Sequence, residues 1–209
     1  ISRDEVIYYG KLFFIKKFRD FFIIEIFCFV NIIKLNSQQQ DEHKLFFAEF
    51  ASDFLLSLMK SSRDLVSICG KSMFMEFLNG PTFFATTPII LRNWRKLIYL
   101  LVETYPEILS DLIKNMNNGF LFFSGSDEEK IKTLRRISFV IYSCERDTFH
   151  KDFDGIKSKA KDLLTGYSDN NKLQREIFLM MRILFLRFSH EGVMKMIKDL
   201  WPIIFTELI

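Results

Sequence analysis

Three stretches of the 209-residue chain carry residue types that could do chemistry. "CGKS", Cys69 to Ser72, has the ending of a phosphate loop, where the amides of a glycine-rich turn cradle phosphate and a lysine reaches it. That motif needs a glycine five residues before Gly70, and Leu65 stands there. "HEGVM", beginning at His190, starts like a zinc-protease helix, but the second metal-binding histidine is replaced by Met194. Cys144 lies six residues before His150, and a cysteine nucleophile requires a histidine within hydrogen-bond reach. Because Cys144 follows the apolar run "ISFVIYS", it reads as a buried thiol. His43 opens a helix beside a polar loop and is expected to face solvent. Asp127 and Glu128 suit a helix N-terminus, where negative charge meets the positive end of the macrodipole. The expectation is no catalytic residue, no cofactor, no metal, and not an enzyme.

Basic clusters are the remaining candidates: Lys11, Lys16, Lys17 and Arg19; Arg92, Arg95 and Lys96; and Lys130, Lys132, Arg135 and Arg136. The latter two are candidate faces for anionic lipid, at roughly 1 kcal/mol per basic residue near such a surface. A solvated face is the competing reading, since acidic residues are interspersed. The balance of 29 Lys and Arg against 26 Asp and Glu leaves +3, which disfavours a nucleic-acid partner.

These residues need elements to position them, and the punctuation is helical. Only four Pro and eight Gly occur, mostly at the edges of periodic runs. Helices are expected over 4–35, 43–60, 63–78, 88–104, from Pro106 to near Asn117, 127–146, 153–164, 171–188 and 191–199, with Pro202 opening or kinking a last segment. Phe46, Phe47, Phe50, Phe54, Leu55 and Leu58 recur on one face of the second. Thr87 and Pro88 supply an N-cap and a first-turn proline. Ser126 with Glu129 forms a capping box, and "NNGFLFF" reads as a loop with an aromatic plug. The fold class is all-α: eight to ten helices in antiparallel pairs, as a HEAT-like stack or an irregular bundle. No strict sequence repeat supports the stack.

A length of 209 residues suits one domain, or at most two small ones, with a sizeable core. Cys28, Cys69 and Cys144 are odd in number and far apart, as expected of reduced cysteines. The most membrane-like stretch, Phe21 to Ile33, is thirteen residues long, well short of the roughly 20 a span needs. Without a glycosylation sequon or signal pattern, a cytoplasmic location is the default expectation. The start at Ile1 and the ending "TELI" suggest a fragment of a longer chain.

On the helix from Asn171, Arg175 and Arg182 are seven residues apart and nearly aligned, while Glu176 and Arg187 align along a second line. Nearly everything else there is apolar, so the arginines must reach an edge or pair with carboxylates. Glu207 is the expected partner of Arg187, since an unpaired buried guanidinium is costly. Trp94, Trp201, Pro202, Arg187 and Glu207 are the structural or interaction candidates, all first as packing.

Three stretches then resemble the C-terminal region of the Dopey family of large trafficking proteins. They are "FMEFLNGPTFFATTPIILRNWRKLI" (Phe74 to Ile98), "LRRISFVIYSCERD" (Leu134 to Asp147), and "LFLRFS" (Leu184 to Ser189) followed by "LWPIIFTEL" (Leu200 to Leu208). Their order and approximate spacing match. An N-terminal helical segment, 1–35, would precede a Dopey-like region, 43–209, within which the resemblance runs from about Leu45. One departure is an extra helical turn between Ser189 and Leu200, beside Trp201. The resemblance implies a non-enzymatic helical scaffold, cytoplasmic and peripheral to Golgi and endosome membranes, acting in transport between them. The partners it implies are a large helical-repeat protein related to Arf exchange factors, the kinesin light chain, and membranes containing phosphatidylinositol 4-phosphate. Its motifs mark no ligand residue.

Overall fold

A computed structural model describes residues 32–33, 42–61, 66–67, 71, 75, 78, 80, 83–121, 127–166 and 170–208. The side chains at 115–121, 159, 163–166 and 203–208 lie outside that description. Seven α-helices and one short 3₁₀ turn form among the described residues, with no strand. The fold is all-α. The expected first helix, 4–35, and Ser126 of the capping box lie outside the described residues, apart from positions 32 and 33, which are helical. Of the expected 63–78 helix, positions 66, 67, 71, 75 and 78 are described, and each is helical.

The chain divides into two compact units, residues 1–104 and 105–209. The first contains α1 (Glu42–Ser61) and α2 (Pro88–Thr104). Helix α2 begins where the Thr-Pro pair requires: Thr87 accepts from Ile90 N–H through its hydroxyl and from Leu91 N–H through its carbonyl. The phenylalanine face of α1 is the outward one, with Phe46, Phe47, Phe50 and Phe54 exposed. Ala48, Ala51, Ser52, Leu55 and Met59 are buried instead. Small residues at 48, 51 and 52 admit a neighbouring backbone at a distance that phenylalanine rings would prevent. Asn93, buried on α2, donates through Nδ2 to Ser52 Oγ at 2.8 Å and to Asp53 Oδ1 at 2.7 Å. These bonds satisfy a polar group that would otherwise cost about 1–3 kcal/mol to bury.

The second unit contains α3 (Ile108–Leu121), α4 (Asp127–Ser143), the 3₁₀ turn (His150–Asp152), α5 (Phe153–Gly166), α6 (Asn171–Arg187) and α7 (His190–Leu208). Asn170 caps α6, its side chain accepting from the Lys172 and Leu173 amides. Helices α4 and α6 run parallel. Asp127 meets Asn170 at their starts, Arg135 meets Glu176 midway, and Tyr142 meets Arg187 at their ends. Helices α5 and α7 also run parallel, with Phe153 beside Gly192 and, one turn further along α5 and two along α7, Lys157 paired to Asp199.

The successive helices α4 and α5 are therefore matched like on like by α6 and α7, α4 lying along α6 and α5 along α7, as in a helical-repeat stack. Sequence separations support this reading. Hydrogen bonds joining helices within the second unit span 41 to 45 residues, and Ser110 to Asp152 spans 42. The two bonds from Asn93 within the first unit span 41 and 40. The HEAT and armadillo period is about 40–47 residues.

The core of the stack is aliphatic: Leu134, Ile137, Val140 and Ile141 on α4, and Leu173, Ile177, Met180 and Leu184 on α6. Each such side chain contributes about 1.5–3 kcal/mol when fully buried. Two local expectations are corrected. Residues 117–121 continue α3 rather than forming a loop, because the roughly 1 kcal/mol helix cost of a glycine is small enough for tertiary context to override. The helix expected over 191–199 runs on through Pro202 to Leu208, so of the two readings, opening or kinking, Pro202 does not open a new segment, and the helix gives up one backbone hydrogen bond there.

Candidate interaction surfaces

The seam between α4 and α6 takes in the stretch "LRRISFVIYSCERD" on one side and, at its far end, "LFLRFS" on the other. Helix phase separates the two adjacent arginines of the first. Arg135 is 40% exposed and donates to Glu176 Oε1 at 2.7 Å, while Glu176 is only 4% exposed. This carboxylate holds the Arg135 guanidinium above its ordinary pKa, by hydrogen bonding first and then by charge against the opposing effect of burial. Arg136 is 7% exposed, and burial pushes it down. Its side chain is withdrawn from any membrane surface, which corrects the expectation of a lipid-facing group there. Lys130 and Lys132 pair with Asp127 and Glu129 in the first turn of α4.

At the far end of the seam the two corners are clamped. Asp147 adopts φ 62°, in the left-handed region that aspartate enters more readily than most residues. Its N–H donates to the Arg187 carbonyl at 2.8 Å, its Oδ1 accepts from Ser189 N–H at 2.7 Å, and Arg146 Nε donates to the Phe188 carbonyl at 3.1 Å. Arg187 Nη2 donates to the Tyr142 carbonyl at 2.7 Å, and its guanidinium lies 4.9 Å from the Tyr142 ring centroid. Tyr142 therefore supplies both a carbonyl and an aromatic face to the arginine. Glu207, the expected partner, has its side chain outside the described residues.

Beside this clamp is a cavity of about 300 Å³ lined by Asp147, His150, Phe153, Phe188, Gly192 and Lys195, among others. Gly192 matters there because a Cβ would sit 3.3 Å from Phe188 Cβ and 3.6 Å from the Phe153 ring. The His150 ring lies on the exposed side, its Nδ1 3.3 Å from the Asp147 carbonyl, whereas Cys144 is buried at 2% exposure. The thiol is therefore not presented to solvent with the imidazole. Among the described residues no group of three or more His, Cys, Asp or Glu could hold a metal ion, and no helix is long and apolar enough to cross a membrane.

In the first unit Trp94 is buried, with its ring 6.3 Å from that of Phe83. Arg92, Arg95 and Lys96 are exposed together on the outward face of α2. Trp201 and Pro202 lie on the exposed side of α7. Sequence reasoning missed Asp147 and Tyr142. An aspartate just past a helix end is a fair sign of a left-handed corner, but nothing in the sequence points to a carbonyl as the partner of Arg187.

Stacked helices with clamped corners and charged outward side chains define the second unit as an all-α domain. The comparisons assign the family. The model described as DOP1 C-terminal matches residues 35–209, so the chain belongs to the DOP1 (Dopey) C-terminal family. Protein pad-1 of Caenorhabditis elegans is 24% identical over 186 residues, covering 86% of this chain and 7% of that protein. Protein DOP1B of Mus musculus is 29% identical over 139 residues, covering 66% and 6%. Protein DOP1 homolog of Drosophila melanogaster is 27% identical over 142 residues, covering 65% and 5%. The chain thus spans well under a tenth of the length of these relatives. No solved structure matches.

Proposed function

We propose that this region is a non-enzymatic scaffold of vesicle-mediated protein transport between Golgi and endosomes, peripheral to their membranes and holding a partner protein. The observation that carries this reading is where the family-resembling stretches lie. Their side chains and backbone lock one corner to the other through Asp147–Ser189 and Arg187–Tyr142, and Arg135 of the second stretch ties α4 to Glu176 of α6. These contacts build a frame rather than a reaction centre, and a rigid helical frame serves by what its outward faces bind. A large helical-repeat protein related to Arf exchange factors is the first partner, with the kinesin light chain second.

The test is affinity capture with the tagged chain from cytosol and solubilised Golgi membranes, read by mass spectrometry. Recovery of a helical-repeat trafficking protein or a motor light chain is expected. Recovery of chaperones alone, by a chain that circular dichroism shows to be folded, would refute the scaffold reading.

One observation favours a second reading, a peripheral lipid-binding module: the exposure of Arg92, Arg95 and Lys96 together, beside the exposed Ile89. Vesicles containing phosphatidylinositol 4-phosphate would then bind the chain, less strongly as salt rises. Replacing the three cations by Gln would lose roughly 1 kcal/mol each.

A further inference from the structure

The outward arc of α6 has a pattern that packing does not require. At about 100° per residue, Lys172, Arg175, Leu179, Arg182 and Leu186 fall within about 80° of one another, and all five are exposed. Leu179 is 44% exposed and Leu186 60%. From Arg175 onward the order is Arg, Leu, Arg, Leu at spacings of four, three and four, the alternation that seats one helix against another. Leu179 and Leu186 are two turns apart, about 10.5 Å along the axis. Phe178 and Phe185 border the row on one side and Ile183 on the other, each half-buried. The arc carries no acid. Glu176, the one carboxylate of α6, is buried and held by Arg135 of α4 at 2.7 Å, with Arg175 Nη2 3.7 Å from the same oxygen; it offsets one of the cations at this edge and leaves the face positive.

Charge and order choose among occupants. A second copy placed symmetrically on this face would bring together two patches of the same positive charge, because a two-fold contact pairs the same patch with itself. A membrane-surface helix keeps its cations on the polar face, away from the apolar row that enters the lipid. Here the guanidinium groups alternate with the leucines in a single row, so burying the leucines in lipid would bury the cations too. A partner helix meets both requirements, by placing carboxylates opposite the arginines and aliphatic side chains opposite the leucines.

We propose that the outward arc of α6 docks an acidic amphipathic helix of a partner protein, with carboxylates on Arg175 and Arg182 and aliphatic residues on Leu179 and Leu186. This deepens the scaffold reading and rests on it.

The probe is a fluorescent helical peptide of three heptads whose seam alternates Leu with Glu, compared with the same peptide carrying Lys for Glu. Anisotropy titration against the whole 209-residue chain is expected to show binding of the Glu peptide only. The double variant Arg175→Glu, Arg182→Glu should weaken that binding by at least about tenfold, or 1.4 kcal/mol, and should accept the Lys peptide instead. Leu179→Asn with Leu186→Asn, a second variant at exposed positions, should weaken both pairings without altering the circular dichroism spectrum. Absence of Glu-peptide binding, or binding unchanged in the charge-reversed variant, overturns the proposal. So does charge-dependent binding of this face to phosphatidylinositol 4-phosphate vesicles without peptide binding, or a dimer in sedimentation equilibrium that the variant dissolves. Affinity capture with the same variant separates the two levels: an unchanged trafficking partner would leave the scaffold reading standing and remove only this face.

Discussion

Asp147 offers a sharp test, because its backbone conformation and its side chain can be perturbed separately. With φ at 62°, the residue occupies a region that costs most L-residues about 1–2 kcal/mol. Its carboxylate accepts the Ser189 amide at the turn into α7, a charge-assisted bond of about 1.5–3 kcal/mol. Asp147→Ala loses the bond and pays the conformational cost, for about 3 kcal/mol in all. Asp147→Gly loses the bond but adopts the left-handed conformation freely, so it should be about 1 kcal/mol less harmful than alanine. Asp147→Asn keeps an acceptor oxygen and tolerates the conformation, with a loss of about 1 kcal/mol or less. Urea unfolding of the whole chain at neutral pH, followed by far-ultraviolet circular dichroism, measures the order. The expected ranking of destabilisation is Ala above Gly above Asn. Glycine as harmful as alanine would falsify the claim that left-handed geometry at this corner costs stability.

Other expectations follow from the same contacts. Arg135→Glu places two carboxylates together at the α4/α6 seam and should destabilise by about 3–5 kcal/mol; restoration by the added change Glu176→Arg, in a double-mutant cycle, checks that the pair is direct. Gly155→Ala, where the added methyl meets nothing within 4 Å, should raise stability by about 0.5–1 kcal/mol. Gly192→Ala should bring no such gain in the same thermal melts, because its methyl meets Phe188 Cβ at 3.3 Å. Asp127, Glu129, Glu191 and Asp199 are held below their ordinary values, first by hydrogen bonds from Lys130, Lys132, Lys195 and Lys157 respectively. Their contribution is present above the ordinary carboxylate range of 3.8 to 4.5 and is lost as pH falls through the lowered folded values. Asp199→Asn should therefore flatten the acid limb of the stability profile. Lys157, raised by the same pair, contributes fully below 10.5 and loses that contribution as pH climbs through its folded value.

Legibility in the sequence followed the range of the interaction. Pro88 opens a helix where the Thr-Pro cap puts it and Asn171 where the apolar run puts it, because a cap acts within three residues. The same local rules failed at 117–121 and at the helix end expected at 199, where weak or unfavourable helix formers are carried inside longer helices. Aligning Arg175 with Arg182 needed only the helical repeat, and both are exposed on one arc. That Leu179 and Leu186 share this arc was equally available from spacing, but an apolar helix gives no sign of which face its neighbours leave uncovered.

The sequence by itself determined the helical class, most helix starts and the family, since these depend on residues within a few positions of one another or on motif order. Tertiary structure alone decided which faces are outward. On α1 the alanines are buried and the phenylalanines exposed, and on α4 Arg136 is buried while Arg135 reaches out to Glu176. It also decided that Arg187 meets Tyr142, and that α4 lies along α6 and α5 along α7 in parallel at a separation near 42 residues. The physical reason is one of range. A helix satisfies its backbone over four residues, whereas the partner that buries its face lies a full repeat away.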